Sequence, residues 1–246
     1  ANVGLYEYGG KVCMIDSGSD KDAAKKALKH IKEQGWTLEK VICTHSHADH
    51  AGGAALLRQR TGCTVCAAGT GAAIIENPIL EPVNLFGGFP LKDMCSKFTM
   101  SPACECEKLT EDVLPQGLSF IHLDGHDFEQ VAVKTSDGVW FIADAVVSTE
   151  TLSKYKIAFL YDIATHLESL KKLETLEGRL FIPAHCEPME SVTELARANS
   201  ANIFEVAEVI KKFCTDGLTI DDLLEKLFAE FGIRLYLMQY ALIGHT

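Results

Sequence analysis

Residues Val41 to Gly53 read VICTHSHADHAGG, and the meaning of this stretch decides how the rest of the chain is understood. An apolar run ends in three histidines and an aspartate, His45, His47, Asp49 and His50, all within six positions. A single histidine at such a place is ordinarily structural, satisfied by a backbone partner. In a chain with nine histidines in 246 residues, the pattern HxHxDH should arise by chance in fewer than roughly one sequence in a thousand. His45 and His47 lie two apart, so an extended backbone points both to one side. Asp49 and His50 follow as the chain turns over the strand end. That arrangement lets the two histidines bind one cation while Asp49 and His50 bind a second close by, and it calls for further nitrogen and oxygen ligands from elsewhere.

Outward from this stretch the chain alternates strands and helices. VGLYEY and KVCMID flank Gly9-Gly10 as a hairpin. Asp20 caps a helix from about Lys21 to Gln34, closed by Gly35. KVICT is a buried strand delivering the histidines, followed by a helix over GGAALLRQR, a strand CTVCAA and a short helix. From Asn77 to about Gln116 the pattern weakens, with Pro78, Pro82, Pro90, Pro102 and Pro115; so long an irregular stretch reads as a lid or binding edge. LSFIHL, QVAVKT and VWFIAD read as strands, DIATHLESLKKLETLEG as a helix and RLFIPAH as a further strand. After Pro188 the stretches SVTELARANSANIFEVAEVIKKF, TIDDLLEKLFAEF and RLYLMQYALIGH read as helices without an intervening strand. The expectation is a duplicated α/β sandwich over residues 1–188 and an all-α extension over 189–246. Phe204, Ile210, Phe213 and Leu237 are expected to be buried where that tail packs over the cleft rim or forms a dimer surface.

Three later strand ends offer the missing ligands. His126 follows the strand Leu118–Leu123, and Gly125 lets the backbone turn so that an imidazole projects inward. His122 is its competitor, placed inside the strand and therefore less suited. Asp144 ends VWFIAD, where a carboxylate can bridge two ions, and His185 ends RLFIPAH. All lie at the carboxyl ends of strands or in the loops that follow, where side chains from separate strands converge.

Taken in order, IDSGSD, THSHADH, GH, AD and AH resemble the motifs of the metallo-β-lactamase superfamily, in its glyoxalase II-like metallo-hydrolase branch. The resemblance covers roughly residues 1–188 and is most specific in its second motif. It implies a four-layer αββα sandwich with metals in a cleft between the edges of two sheets. It further implies a first site of His45, His47 and His126, and a second of Asp49, His50 and His185, with Asp144 bridging. Asp16 looks like the buried aspartate that supports the metal loop. The chain departs from the family pattern in GHDFEQ, and alanine stands in place of the frequent glycine before both Asp144 and His185.

The expected chemistry follows from two divalent cations, zinc first, with iron or manganese as the other candidates. Against two aspartates and a bridging hydroxide they leave a local charge of about +1, which favours an anionic small-molecule substrate. A water activated at the metal pair would cleave an acyl bond, in a thioester, ester or lactone, with Asp49 orienting it and passing its proton on. Tyr155 and Tyr161 are near enough in sequence to Asp144 to line the cleft, although a phenol at a helix–sheet boundary more often only packs. Two other chemistries use related scaffolds: an iron-dependent oxidoreductase resembling persulfide dioxygenase, and a phosphodiesterase or ribonuclease. The diiron flavoprotein pattern has a glutamate where this chain has His47. A third class, a metal-binding interaction module acting through its tail, fits the acidic TDGLTIDDLLEK poorly.

A net charge of −11 argues against a general nucleic-acid or anionic-membrane surface. No apolar run is long enough to span a membrane. Nine cysteines, an odd number, suit a reducing compartment better than a disulfide framework, and a cytoplasmic location is expected. Cys95, Cys104 and Cys106 lack a zinc-like spacing, and Cys63 and Cys66 should face opposite sides of a strand. Lys21, Lys25, Lys29 and Lys32 share one solvated helix face. Both termini read as trimmed, and a homodimer through the tail is an assembly the sequence allows.

Overall fold

In the computed structural model of the chain, residues 1–215, 217–234, 243 and 246 are described. Strands β1 (Gly4–Tyr8) and β2 (Lys11–Ile15) form an antiparallel hairpin. Gly9 and Gly10 take φ of 64° and 82° in its tight turn, the backbone a two-residue hairpin loop requires. Helix α1 (Lys21–Glu33) begins where the Asp20 carboxylate accepts hydrogen bonds from the Asp22 and Ala23 amides. Then follow β3 (Thr37–Ile42), the single-turn α2 (Ala48–Ala51), α3 (Ala54–Thr61), β4 (Thr64–Ala67), α4 (Gly69–Glu76), α5 (Leu80–Phe86) and the short β5 (Glu107–Lys108). The second half holds β6 (Leu118–His122), β7 (Val131–Thr135), β8 (Val139–Ala143), α6 (Thr149–Tyr155), α7 (Ile163–Thr175), β9 (Leu180–Pro183), α8 (Thr193–Phe213) and α9 (Ile220–Glu230).

The strands make two sheets, ordered β1-β2-β3-β4-β5 and β6-β7-β8-β9. Period-two alternation sorts their side chains into three apolar layers. Val12, Met14 and Val41 face outward with Ala24, Ile31 and Leu57 of the first helical layer. Cys13, Ile15 and Ile42 face inward and meet Val131, Val133 and Leu118 of the second sheet. Ala132, Trp140 and Ile142 face outward again, against Leu170 and Leu173 of α7 and Ala196 of α8. Helix, sheet, sheet, helix is thus the layer order, the αββα sandwich expected, with helices at the C-terminal end.

Several local readings change. Residues 77–116 are less irregular than their prolines suggest: α5 runs through Pro82, which sits in the first turn where a missing N–H costs little. Helix α6 leaves no periodic signal, since Leu152 is its one buried residue. Phe204 is 58% exposed rather than buried, because the inward stripe of α8 runs through Ala196, Asn199 and Ile203 and leaves Phe204 beside it. Ile210 and Phe213 are half-buried. The third tail helix and the burial of Leu237 fall outside the described residues. Cys63 and Cys66 face opposite layers as expected. Among the described residues, no helix is long and apolar enough to cross a membrane.

Candidate metal centre

The loop after β3 is held from behind by three buried acidic side chains. Asp16 accepts from the Thr44 amide at 2.8 Å, Asp127 from the Ser46 amide at 3.2 Å, and Glu81 from the Ala48 amide at 3.2 Å. Every second amide is therefore anchored, and the intervening residues His45, His47 and Asp49 turn toward the cleft. Asp16 itself has φ of 59°, so a strand-end residue in the left-handed region swings its carboxylate under the loop. Its Oδ2 also lies 2.8 Å from His50 Nδ1, while Thr44 Oγ1 lies 3.1 Å from His45 Nδ1. Both contacts occupy Nδ1 and leave Nε2 of His45 and His50 facing the cleft, the usual support for a ligating imidazole.

Across the cleft, His126 follows Gly125, whose φ is 110°. A Cβ at Gly125 would lie 2.3 Å from the His166 amide nitrogen, so glycine is demanded both by conformation and by the approach of α7. Gln130, fully buried between β6 and β7, donates to the Leu123 carbonyl and accepts from the Asp144 amide at 3.2 Å, fixing the end of β8. His185 follows β9 and is more open, 53% exposed. His122 instead pairs with Asp124 and stays outside the site.

The seven expected residues meet in two overlapping groups: His45, His47, His126 and Asp144, and then Asp49, His50, Asp144 and His185, with donor atoms in each within 4.8 Å of one another. His47 Nδ1 lies 3.1 Å from His45 Nε2 and 3.0 Å from His126 Nε2. A ring nitrogen carries one proton or one lone pair, so both contacts cannot be good hydrogen bonds together. Two zinc–nitrogen bonds at a tetrahedral angle would separate their nitrogens by roughly 3.3 Å, so the convergence suits a cation. His50 Nε2 is buried without a hydrogen-bond partner although Asp144 Oδ2 lies 3.3 Å away. Asp144 reaches both groups, with Oδ2 3.4 Å from His126 Nε2 and Oδ1 3.5 Å from His185 Nε2. A His/Asp metal-binding cluster is present, and its donor set fits divalent cations of the zinc, iron or manganese kind.

Protons compete with cations here. Burial, with His47 beside it, pushes His126 down to about 4, and burial with His50 and His47 lowers His45 far below the ordinary range. These rings are neutral with lone pairs available. Burial opposes charge on His50, but Asp16 and Asp144 hold its pKa well above the usual value. Hydrogen bonds to Asp144 and Asp49 raise His185 to about 9. Burial works against ionised Asp49, yet its hydrogen bond with His185 brings it to about 2.

Asp127 and Glu81 are not singled out by the sequence. Asp127 has a signal, lying where GHDFEQ departs from the family pattern; Glu81 sits in the proline-rich stretch and has none. Tyr155 lines the cleft, whereas Tyr161 packs on Phe128 with centroids 4.1 Å apart. All nine cysteines are free, and those in the core have thiols raised by burial, Cys104 to about 11. None joins a metal-holding group among the described residues.

Four layers, strand ends converging on a cleft and the His/Asp cluster define a metal-binding αββα scaffold. The Metallo-beta-lactamase superfamily model matches residues 1–185, and the chain belongs to that superfamily. The chain is 45% identical over 64 residues to a hydroxyacylglutathione hydrolase of Rhodopseudomonas palustris (strain BisB18), 24% of this chain and 25% of that protein. A beta-lactamase hydrolase-like protein of Xylella fastidiosa is 40% identical over 62 residues, 25% of this chain and 14% of that one. The chain thus spans about a quarter or less of the length of these curated relatives. In structure it is similar to a metallo-beta-lactamase family protein of Thermus thermophilus, with a TM-score of 0.73 at 20% identity, covering 99% of this chain and 86% of that one. A beta-lactamase domain protein of Burkholderia ambifaria has a TM-score of 0.70 at 20% identity, covering 99% and 79%.

Proposed function

We propose that the chain is a hydrolase that holds two divalent cations and cleaves an acyl bond in a small molecule, a thioester, ester or lactone. The observation that carries this reading is Asp144, whose carboxylate lies among the donors of both groups and would be shared between two cations. His45, His47 and His126 would complete one set, and Asp49, His50 and His185 the other. The chemistry a divalent pair supplies when bound is Lewis acidity, which brings the pKa of water toward neutrality and polarises a carbonyl. The chain's own residues do the rest. Asp49, ionised and 37% exposed, faces the cleft and can take a proton from an attacking water and deliver it to the departing sulfur or oxygen. His185 Nε2 lies 3.0 Å from Asp49 Oδ2, so the two converge on one point from the loop and from the end of β9. Phe159, with its ring 6.0 Å from His47 and 6.3 Å from His126, covers the imidazoles from one side and limits water.

The hydroxyacylglutathione hydrolases among the relatives support a thioester as the first substrate type to try. All seven donors are nitrogen or oxygen, which suits zinc and leaves iron and manganese as competitors. The test is a parallel panel of thioesters, esters, lactones, phosphodiesters and persulfides against protein loaded with each metal, with metal content measured alongside. Acyl hydrolysis at two zinc ions per chain is expected. Dioxygen uptake with one iron per chain, or cleavage of phosphodiesters alone, overturns the proposal.

A further inference from the structure

Beyond the His/Asp cluster the cleft continues as a cavity of about 490 Å³, in the range that holds a small organic ligand. Its floor begins at His126, Asp144 and His185, and its walls are Val146, Val147, Ile157, Ala158, Phe159 and Ile233. Part of the polar lining is engaged within the fold. Ser148 Oγ accepts from the Thr151 amide at 3.1 Å to cap α6, and the Thr151 hydroxyl lies 2.9 Å from the same oxygen. The amide and carbonyl of Val147 are both bound to the Asn199 side chain, each at 2.9 Å. No lysine or arginine is among the described lining residues, and residues 235–245, LYLMQYALIGH, contain none. Lys154 and Lys156 flank the lining residues Tyr155 and Ile157 in the chain, and both point to other partners: Lys156 to Glu205 at 2.6 Å, and Lys154 over the Tyr155 ring at 4.8 Å.

Such a wall discriminates by cost. A carboxylate or peptide amide pushed against the Val146, Val147, Ile157 and Phe159 side chains would lose water and gain no cation there, whereas an alkyl or aryl group loses nothing and buries its surface. Glutathione, with two carboxylates and two amides, is a poor match to it. The positive charge expected of a loaded metal centre serves the reacting carbonyl at the cavity floor and does not extend along the wall.

We infer that the substrate is an uncharged acyl compound bearing an apolar chain of medium length, seated against Val146, Val147, Ile157, Phe159 and Ile233. The chain belongs to either the acyl or the leaving-group side of the scissile bond. This rests on the acyl-hydrolase reading above and narrows it.

The test uses the zinc-loaded full chain, two series and a comparator: N-acetylcysteamine thioesters from acetyl to octanoyl, acetyl thioesters of alkyl thiols from ethyl to octyl, and a hydroxyacylglutathione. On at least one series kcat/KM should climb about fourfold per methylene, equivalent to ~0.8 kcal/mol, and should pass the hydroxyacylglutathione by at least tenfold. The series that climbs assigns the side on which the chain sits. Ile157→Lys should flatten that climb and favour a glutaryl thioester over a hexanoyl one. A readout independent of turnover is calorimetric binding of neutral amides from butanamide to octanamide, where affinity and negative heat-capacity change should grow with length. Flat profiles in both thioester series, or preference for the hydroxyacylglutathione, overturn the inference and leave acyl hydrolysis standing. No turnover of any thioester, nor of the ester and lactone panel, with amide affinity still rising along the series, sinks the hydrolase reading and keeps the apolar-ligand site. Amide binding that ignores chain length overturns the inference whatever the kinetics.

Discussion

The two halves of the sandwich build the candidate centre in different ways. The first supplies four residues from one loop of six positions, His45 to His50, anchored by acidic side chains under alternate amides. The second supplies three residues from three separate strand ends, His126, Asp144 and His185. Burial cuts across this divide: His45 and His50 are fully buried but Asp49 is 37% exposed, while Asp144 is 13% and His185 53% exposed. A contiguous loop can be pre-shaped by local hydrogen bonds alone. A set drawn from distant strands depends on register and packing. The first half is fixed locally and the second through the tertiary fold, and the most open residues, Asp49 and His185, come one from each.

The largest effect should come from the residue that joins the halves. Asp144→Asn removes the carboxylate shared by both donor groups, and activity should fall about a thousandfold, several kcal/mol of lost charge stabilisation, with fewer than two metal ions retained per chain. Full metal content and undiminished turnover in this variant would separate the halves and break the comparison. Next come the anchors under the loop. Burial opposes ionisation of Asp127, but His47 and hydrogen bonds from Ser46 outweigh it and keep the carboxylate charged. Glu81 is the reverse: burial, and then Asp127 beside it, push its pKa far up, so it is neutral. Asp127→Asn should therefore weaken metal affinity by about 10–100-fold, while Glu81→Gln, which replaces a neutral acid by a neutral amide, should change it little. Competition with a chelator measures both; equal losses would show that charge under the loop is not what matters.

The same divide explains what can be read without coordinates. The first half of the site is legible because its ligands form one pattern with the two-residue spacing of a strand, and the sandwich follows from strands at Val12–Ile15, Val41–Ile42 and Val139–Ala143. His126 and His185 are legible only by position, each standing just beyond an apolar strand. The anchors are not legible: that Glu81 accepts from the Ala48 amide depends on how α5 folds back over the loop, and no local pattern carries that information. The short α6 is hidden for a related reason, since a helix with one buried residue, Leu152, gives no stripe to detect. The apolar wall of the cavity is assembled from the loop after β8, the loop after α6 and Ile233, three stretches that share no motif.

Behind the second half, His166 on α7 packs against Gly125 with its Nδ1 buried and unpartnered. Burial, with His126 nearby, depresses its pKa to about 3, so the ring is neutral in the folded chain at neutral pH. In the unfolded chain it titrates near 6.5. Below that value the unfolded state takes up a proton that the folded state refuses, and stability is lost as pH falls. The loss is about 1.4 kcal/mol per pH unit, or roughly 2 kcal/mol by pH 5. Denaturant unfolding of the chelated protein at pH 7 and pH 5 should show His166→Leu gaining about that amount on the parent between the two pH values. A gap independent of pH would mean that the ring is protonated in place and that the second half tolerates charge behind its ligands.

The smallest effect concerns the step from β8 into Asp144. Ala143 has φ of 50°, a left-handed conformation that alanine resists, at the position where the family pattern commonly has glycine. The register between β8 and β9 shifts there, and the Ala143 carbonyl accepts from the Ala184 amide at 2.8 Å, so the strained residue lies between the Asp144 and His185 strand ends. A left-handed alanine costs about 1–2 kcal/mol, part of which glycine returns as greater freedom in the unfolded chain. Ala143→Gly should therefore stabilise the fold by about 1 kcal/mol, read as a raised unfolding midpoint, with Asp144 still shared and metal content unchanged. If the variant is less stable, the methyl is contributing packing that exceeds its strain, and the second half is held at this joint by contacts rather than by backbone preference. If it is more stable but loses metal, the strain itself aims Asp144, and the second half of the site is as tightly shaped as the loop opposite.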